Sequence, residues 1–300
     1  MKELKAPELF ATITKVQKKE TFAMLFCVLC WSTSGLFIKL IDWNPLVISC
    51  ARSAVAAFFM ALVHGKAMFA AQKAAAPRLF GINALAVASA ASAVTKILYV
   101  TANKLTSPAN AVLLQHTAPV WAALAAGALI GERLRPAQWF AVFAAVGGAA
   151  LFFLDGLTSG NLAGDGVALL CGITFAFSMI AMRSLKENSP ALALFYSHLI
   201  PVIIGLPFIF IAPPVLTAVN VLCVIFLGLV QAGVASLLYA YAIKRLQAIR
   251  VMFIAQLEPL LNPLWVFAFT AALPTRYALL GGGIIIAAVL AANIGGRKTV

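Results

Sequence analysis

Acidic side chains are scarce. Nine aspartates and glutamates stand in 300 residues, and charged residues of both signs make up only 10% of the chain, against roughly 25% in a soluble globular protein. That shortage excludes an ordinary soluble domain. Cysteine is sparse too: Cys27, Cys30, Cys50, Cys171 and Cys223 all fall inside apolar segments. Cys27 and Cys30 form a C-x-x-C, but on a helix in hydrocarbon they are small packing residues, so neither a disulfide framework nor a zinc site is implied. There is no phosphate-cradling glycine loop, no G-x-S-x-G and no metal-spaced His/Cys cluster. No enzymatic chemistry, no ATP-driven motor and no cofactor is expected.

What is present is apolar: 63% of residues are hydrophobic and the mean hydropathy is +1.00, the composition of a polytopic membrane protein. The net charge of +13 does not point to nucleic acid, because the basic residues cluster in short connections and tails, as a positive-inside bias requires. A spanning helix needs about 20 mostly apolar residues. Ten such spans are predicted, at 21–40, 45–63, 80–102, 108–130, 137–155, 163–184, 190–211, 217–241, 249–270 and 276–294, with prolines at or near the breaks. Alternate connections carry Lys66, Lys73 and Arg78; Arg133 and Arg135; Arg183 and Lys186; Lys244, Arg245 and Arg250; then Arg297 and Lys298. The opposite connections carry only Lys104 and Arg276, and hold Asp42, Asp155 and Asp165. The first twenty residues show no signal-peptide cleavage site and read as a cytosolic amphipathic tail. Both termini are expected in the cytosol, in a bacterial inner membrane.

The chain also repeats. Sliding it along itself until Tyr99 lies over Tyr239 also sets Lys104 over Lys244, His116 over Gln256 and Pro119 over Pro259. A slightly longer slide, allowing for loop differences, sets "WSTSGLFIKL" over "FAFSMIAMRSL", with Lys39 over Arg183. Each half then holds five spans, and an odd number forces the second half to enter the membrane upside down. The expected fold is an all-α membrane protein: ten transmembrane helices in two inverted five-helix repeats, 21–155 and 163–294, around a central cavity, with cytosolic tails at 1–20 and 295–300. Inverted repeats are typical of alternating-access carriers, whose site lies near the midplane at the repeat interface.

One stretch sharpens this. "LLQHTAPVWAALAAGALIGERL", Leu113 to Leu134, has the composition of a lipid-buried helix, yet it carries Gln115, His116 and Pro119. It resembles the fourth-helix signature of the EamA-type branch of the drug/metabolite transporter superfamily. "LCWSTSGLFIKLIDWNPLVISCARSAVAAF" resembles that branch's first two helices and "IAQLEPLLNPLWVFAF" its ninth. The resemblance implies ten helices, a central cavity and secondary transport of small metabolites. One departure stands out. The second half usually repeats the Gly-Glu that follows helix four, but the register of Tyr99 over Tyr239 sets Ala271 and Ala272 there, so Glu132 has no partner glutamate.

A charge at a helix centre costs about 2.5–3.5 kcal/mol on insertion scales, so such residues face a wet cavity or a partner. Ser89, Ser92, Lys96, Tyr99 and Asn103 share one helix face, the geometry of a cavity wall with Lys96 as a contact for a carboxylate or phosphate. Glu258, beside Pro259 and one turn before Asn262, is costly as a carboxylate unless paired or protonated; it either locks onto Arg52 or faces the cavity and exchanges protons. His116 can donate, accept or change charge, and with Glu258 it is the second coupling candidate. Gln256 stands at its equivalent position. His198, beside Pro201, is a weaker candidate. Trp31 with Ser34 one turn on, Trp121, Gln231 and Tyr239 complete the candidate binding set.

A mixed set of Lys96, Arg52, Glu258 and His116 suits a zwitterion, so amino acids and their relatives come first, with export favoured over import. The rival within transport is an organic anion or nucleotide-like solute. The rival of another class is an intramembrane enzyme or a non-transporting scaffold. The expected partners are a small-molecule substrate and the lipid bilayer, with the chain a monomer or weak dimer. The charge alternation predicts that single cysteines placed at Ala74, Asn188 and Thr299 react with a membrane-impermeant thiol reagent only from the cytosolic side; labelling of any of them in intact cells breaks the ten-span reading.

Overall fold

The computed structural model describes residues 6–71, 77–79, 81–106, 108–129, 136–152, 162–261 and 276–295. The first apolar run and the basic segment before it form one helix, α1 (Ala6–Ser32), followed after Thr33 by the short α2 (Ser34–Leu40). Then come α3 (Pro45–Ala70), a two-stranded antiparallel hairpin of β1 (Arg78–Leu79) and β2 (Ile82–Asn83), and α4 (Ala84–Leu105). Next are α5 (Pro108–Gln115), α6 (Ala118–Leu129), α7 (Pro136–Phe152), α8 (Leu162–Ser184) and α9 (Pro190–Ile211). A continuous helical stretch follows as α10 (Ala218–Phe226), a π-helical segment (Leu227–Val234) and α11 (Ala235–Ile243). Beyond it lie α12 (Ala248–Ala255), a short helical piece at 258–261, and α13 (Arg276–Gly295).

The helices start where the sequence supplies caps. Asn44, Asn83, Ser189 and Thr217 each accept a backbone N–H of the first turn, and Pro45 and Pro190 stand at the first helical position, where no donor is lost. Six described helical segments are long and apolar enough to cross a bilayer: Lys18–Leu40, Pro45–Ala70, Ala84–Leu105, Leu162–Ser184, Pro190–Ile211 and Ala218–Ile243. The third predicted span began at residue 80, which lies outside the described residues, but Ile82–Asn83 is the second strand of the hairpin, Gly81 before it stands at φ 75°, and the helix starts only after the Asn83 cap. The second runs on to Ala70 instead of stopping at 63.

Large apolar side chains cover the outside, and several polar and charged groups are buried among the apolar residues of the core. Phe58 (72% exposed) and Phe140 (77%) point outward with many other large apolar side chains, while Arg52, Gln115, His116 and Glu258 are buried. Lipid, not water, satisfies such an exterior. α4 packs on α8 and α9, α3 on α9 and the π segment, α1 on α11, and α7 on α13. Small residues set these distances, as they do between membrane helices generally. A Cβ on Gly205 of α9 would collide with the Leu46 carbonyl and Cys50, and one on Gly228 with the Val55 side chain. Where basic connections gather, Arg183 donates to the Ile243 and Lys244 carbonyls at 3.0 and 2.8 Å, and Arg245 lies 3.7 Å from the buried Glu20 carboxylate.

Two predicted spans are broken in the same way. In the fourth, His116 N–H donates to Val112, Thr117 to Leu114 and Val120 to Thr117; in the ninth, Gln256 donates to Met252, Leu257 to Ile254 and Leu260 to Leu257. Each bond of the first set recurs at the equivalent position of the second half. The cause is Pro119 and Pro259, which cannot donate to the carbonyls one turn back.

The glycine contacts generate a test. Gly205→Ala and Gly228→Ala each force a side chain into occupied space, which costs about 1–3 kcal/mol in a packed core, and both should lower the thermal unfolding midpoint of the purified protein. Gly65→Ala in α3, whose Cβ would meet nothing within 4 Å among the described residues, should be neutral or slightly stabilising. Equal midpoints for all three variants would refute the close packing of α3 against α9 and the π segment.

Candidate functional site

The helix breaks release carbonyls, and those carbonyls organise the middle of the protein. Val120 bonds to Thr117, so the His116 carbonyl loses its usual partner; the Gln256 side-chain amide of the other break donates to it at 2.8 Å. The Leu114 and Gln115 carbonyls face α8, where a Cβ on Gly172 would lie 2.9 and 3.0 Å from them. Only a residue without a side chain allows α8 so near. The ring of His116 then comes to Glu258, its Nε2 3.8 Å from the carboxylate Oε2, with both residues 3% exposed. The two breaks thus meet through one hydrogen bond and one close approach of an imidazole to a carboxyl group.

Beside this junction lies a cavity with about 730 Å³ of empty space, its mouth included. Of the predicted residues, Trp31, Ser34, Arg52, Ser92, Lys96, Tyr99, Gln231, Tyr239 and Glu258 line it. His116 and Gln256 stand behind it at the junction, and Trp121 is turned to Thr117, donating from Nε1 to Oγ1 at 3.2 Å. Asn262 lies outside the described residues, as does Glu132. Within the α4 stripe only Ser92, Lys96 and Tyr99 reach the cavity; Ser89 bonds to the Leu85 carbonyl and Asn103 to the Tyr99 carbonyl.

The wall is a hydrogen-bonded frame. Arg52 donates through Nη1 to Gln231 Oε1 and through Nη2 to the Lys96 carbonyl, both at 3.2 Å. Of the two alternatives for Glu258, the lock onto Arg52 is not formed: the guanidinium is held by the π segment and α4, and the carboxylate faces His116. The Lys96 ammonium donates to Ser197, Ser92 is hydrogen-bonded to Ser178, and Ser34 to the Tyr99 hydroxyl at 2.8 Å. Trp31 packs edge-on to Phe175, centroids 5.9 Å apart, and tilted on Tyr239 at 5.7 Å, so three rings form one aromatic corner.

Thr95, Gln115, Phe175, Ser178, Leu194, Ala232 and Ser236 also line the cavity and were not in the predicted set. The internal repeat held the signal for several of them. In the register of Lys39 over Arg183, Trp31 and Ser34 fall on Phe175 and Ser178; in that of Tyr99 over Tyr239, Ser92 and Lys96 fall on Ala232 and Ser236. Both members of all these pairs line the cavity, so each half supplies the same positions. The π segment matters here, since it carries Gln231 and Ala232 to the wall; such segments are frequent at functional sites.

Comparison with known proteins agrees with this architecture. A solved crystal structure matches with a TM-score of 0.78 at 18% sequence identity, covering 94% of this chain and 100% of that one; at that identity the likeness concerns the fold. No protein of curated function matches the chain. The model of the EamA-like transporter family matches twice, over residues 18–154 and 162–294. With two matches that together take in most of the sequence, the chain belongs to the EamA-like transporter family and is a multi-pass membrane transporter of the drug/metabolite transporter superfamily.

Proposed function

We propose that the protein is a secondary transporter of small amphipathic metabolites, amino acids and their relatives first, working by alternating access and favouring export. The observation that carries this reading is that Lys96, Arg52 and Glu258 line one cavity together with Trp31, Phe175 and Tyr239. A zwitterion brings one group for the cations, one for the carboxylate, and a side chain for the aromatic corner. An organic anion would meet the Glu258 carboxylate as a like charge and be repelled, which makes it the second choice.

Ten spans in two inverted repeats remain part of the reading. The supporting features are the matching breaks at equivalent positions of the two halves and the paired lining residues. The bacterial inner membrane with cytosolic termini follows from the same scheme and from the alternation of basic connections. Coupling falls to Glu258 with His116: a carboxylate on the cavity wall, 3.8 Å from an imidazole, is a group that can take up a proton on one side and release it on the other.

Purified protein should be stabilised thermally by one or more of the twenty amino acids, and the hit should drive counterflow in liposomes; no hit among them would remove the amino-acid reading. Lys96→Ala should fold normally yet lose transport, and Lys96→Arg should not restore it in full, because guanidinium is larger and planar. Transport at the wild-type rate in Lys96→Ala would reduce that lysine to a packing role. For Glu258→Gln, exchange should persist while net flux between pH 5.5 and 8.5 loses the wild-type dependence on pH. Superimposable pH profiles in the two proteins would end the coupling assignment.

A further inference from the structure

Two neighbouring residues of α9 reach to equivalent points of the cavity wall. Ser197 accepts the Lys96 ammonium, and His198 Nε2 lies 3.1 Å from Ser236 Oγ. Lys96 and Ser236 are the same position in the two halves, in the register that sets Tyr99 over Tyr239. Neither Ser197 nor His198 lines the cavity; both are fully buried behind it.

We propose that His198 is a positioning residue that makes the Ser236 hydroxyl a donor toward the cavity, completing with Lys96 and Arg52 a subsite for the substrate carboxylate. The argument turns on the far side of the imidazole. His198 is 0% exposed, and its Nδ1 has no hydrogen-bond partner among the described residues. A proton on Nδ1 would be a stranded donor, and buried N–H groups are almost never left unpaired, whereas an acceptor lone pair is tolerated more readily. The imidazolium would strand the same N–H and add a third cation near Lys96 and Arg52. The remaining form carries its proton on Nε2, which must donate to Ser236 Oγ. With that oxygen occupied as an acceptor, the hydroxyl proton of Ser236 is free to turn to the cavity.

The surrounding groups have the same sense. Lys96 uses one N–H on Ser197 and keeps two, and it lines the cavity together with Arg52 and Ser236. Donors without matching acceptors suit a group that only accepts, and an ionised carboxylate does only that. Gln231, on the same cavity wall as Ser236 and within the π segment, holds Arg52 in place.

The inference rests on the amino-acid reading above, so its test has one arm that does not. Solid-state NMR of ¹⁵N-histidine protein in lipid, with His198 assigned by its loss in His198→Gln, should show the Nε2-protonated neutral ring; a proton on Nδ1 overturns the proposal whatever the substrate. In the second arm the twenty amino acids and their carboxamides are the probes. Ser236→Ala and His198→Leu should each weaken binding of the amino-acid hit about tenfold, the loss expected for one hydrogen bond to a charged group. The double variant should be no worse than either, the carboxamide should be nearly unaffected, and His198→Gln, which retains an N–H, should recover part of the affinity. Equal losses for acid and amide, or additive losses in the double variant, overturn it. If no amino acid binds the wild type, the substrate reading falls, and the ring tautomer alone decides whether His198 sets the serine.

Discussion

Every backbone polar group inside a bilayer must find its partner within the protein, and in this molecule that requirement is sharpest at two prolines. Pro119 and Pro259 each interrupt a helix and free carbonyls that no lipid chain can satisfy. The responses define the centre of the fold. Gln256 reaches across to the His116 carbonyl, Gly172 lets α8 close on Leu114 and Gln115, and the His116 ring comes within 3.8 Å of the Glu258 carboxyl group. The cavity lies where this junction keeps the helices from packing side by side.

The same requirement explains why the cavity wall is cross-linked. Arg52 is tied to Gln231 and to a carbonyl of α4, and Lys96 to Ser197, so each buried cation has a defined direction. A guanidinium without such ties would sample several rotamers. Here it is held by the π segment, whose wider turn changes which side chains share the wall.

Much of this was legible in the sequence. Hydropathy pointed to the membrane-length helices, because hydrocarbon thickness sets their length. Lys96, Tyr99 and Glu258 stood out because ionisable and polar groups in apolar runs demand a reason. What could not be read was partner choice. Arg52 and Glu258 are of opposite sign and similar depth, and only the packing of α3 on the π segment sends Arg52 to Gln231. Phe175, Ala232 and Ser236 are unremarkable in their own context, since aromatics, alanine and serine occur throughout membrane helices; they become visible only as repeats of Trp31, Ser92 and Lys96. The start of α4 was misplaced because the residues before it are apolar enough to extend a helix, while Gly81 and the Asn83 cap turn them into a hairpin.

The bond between Gln256 and the His116 carbonyl has a mechanical consequence. It joins two interrupted helices at the very points where each is weakest, so bending one pulls on the other. If the protein alternates between two openings, as proposed above, breaks joined in this way would work as a see-saw: the fulcrum is shared, and neither arm rises while the other stays level. On the proposed alternating-access reading, a solute leak through both ends at once is opposed at this one bond, from the Gln256 side chain to the His116 backbone carbonyl.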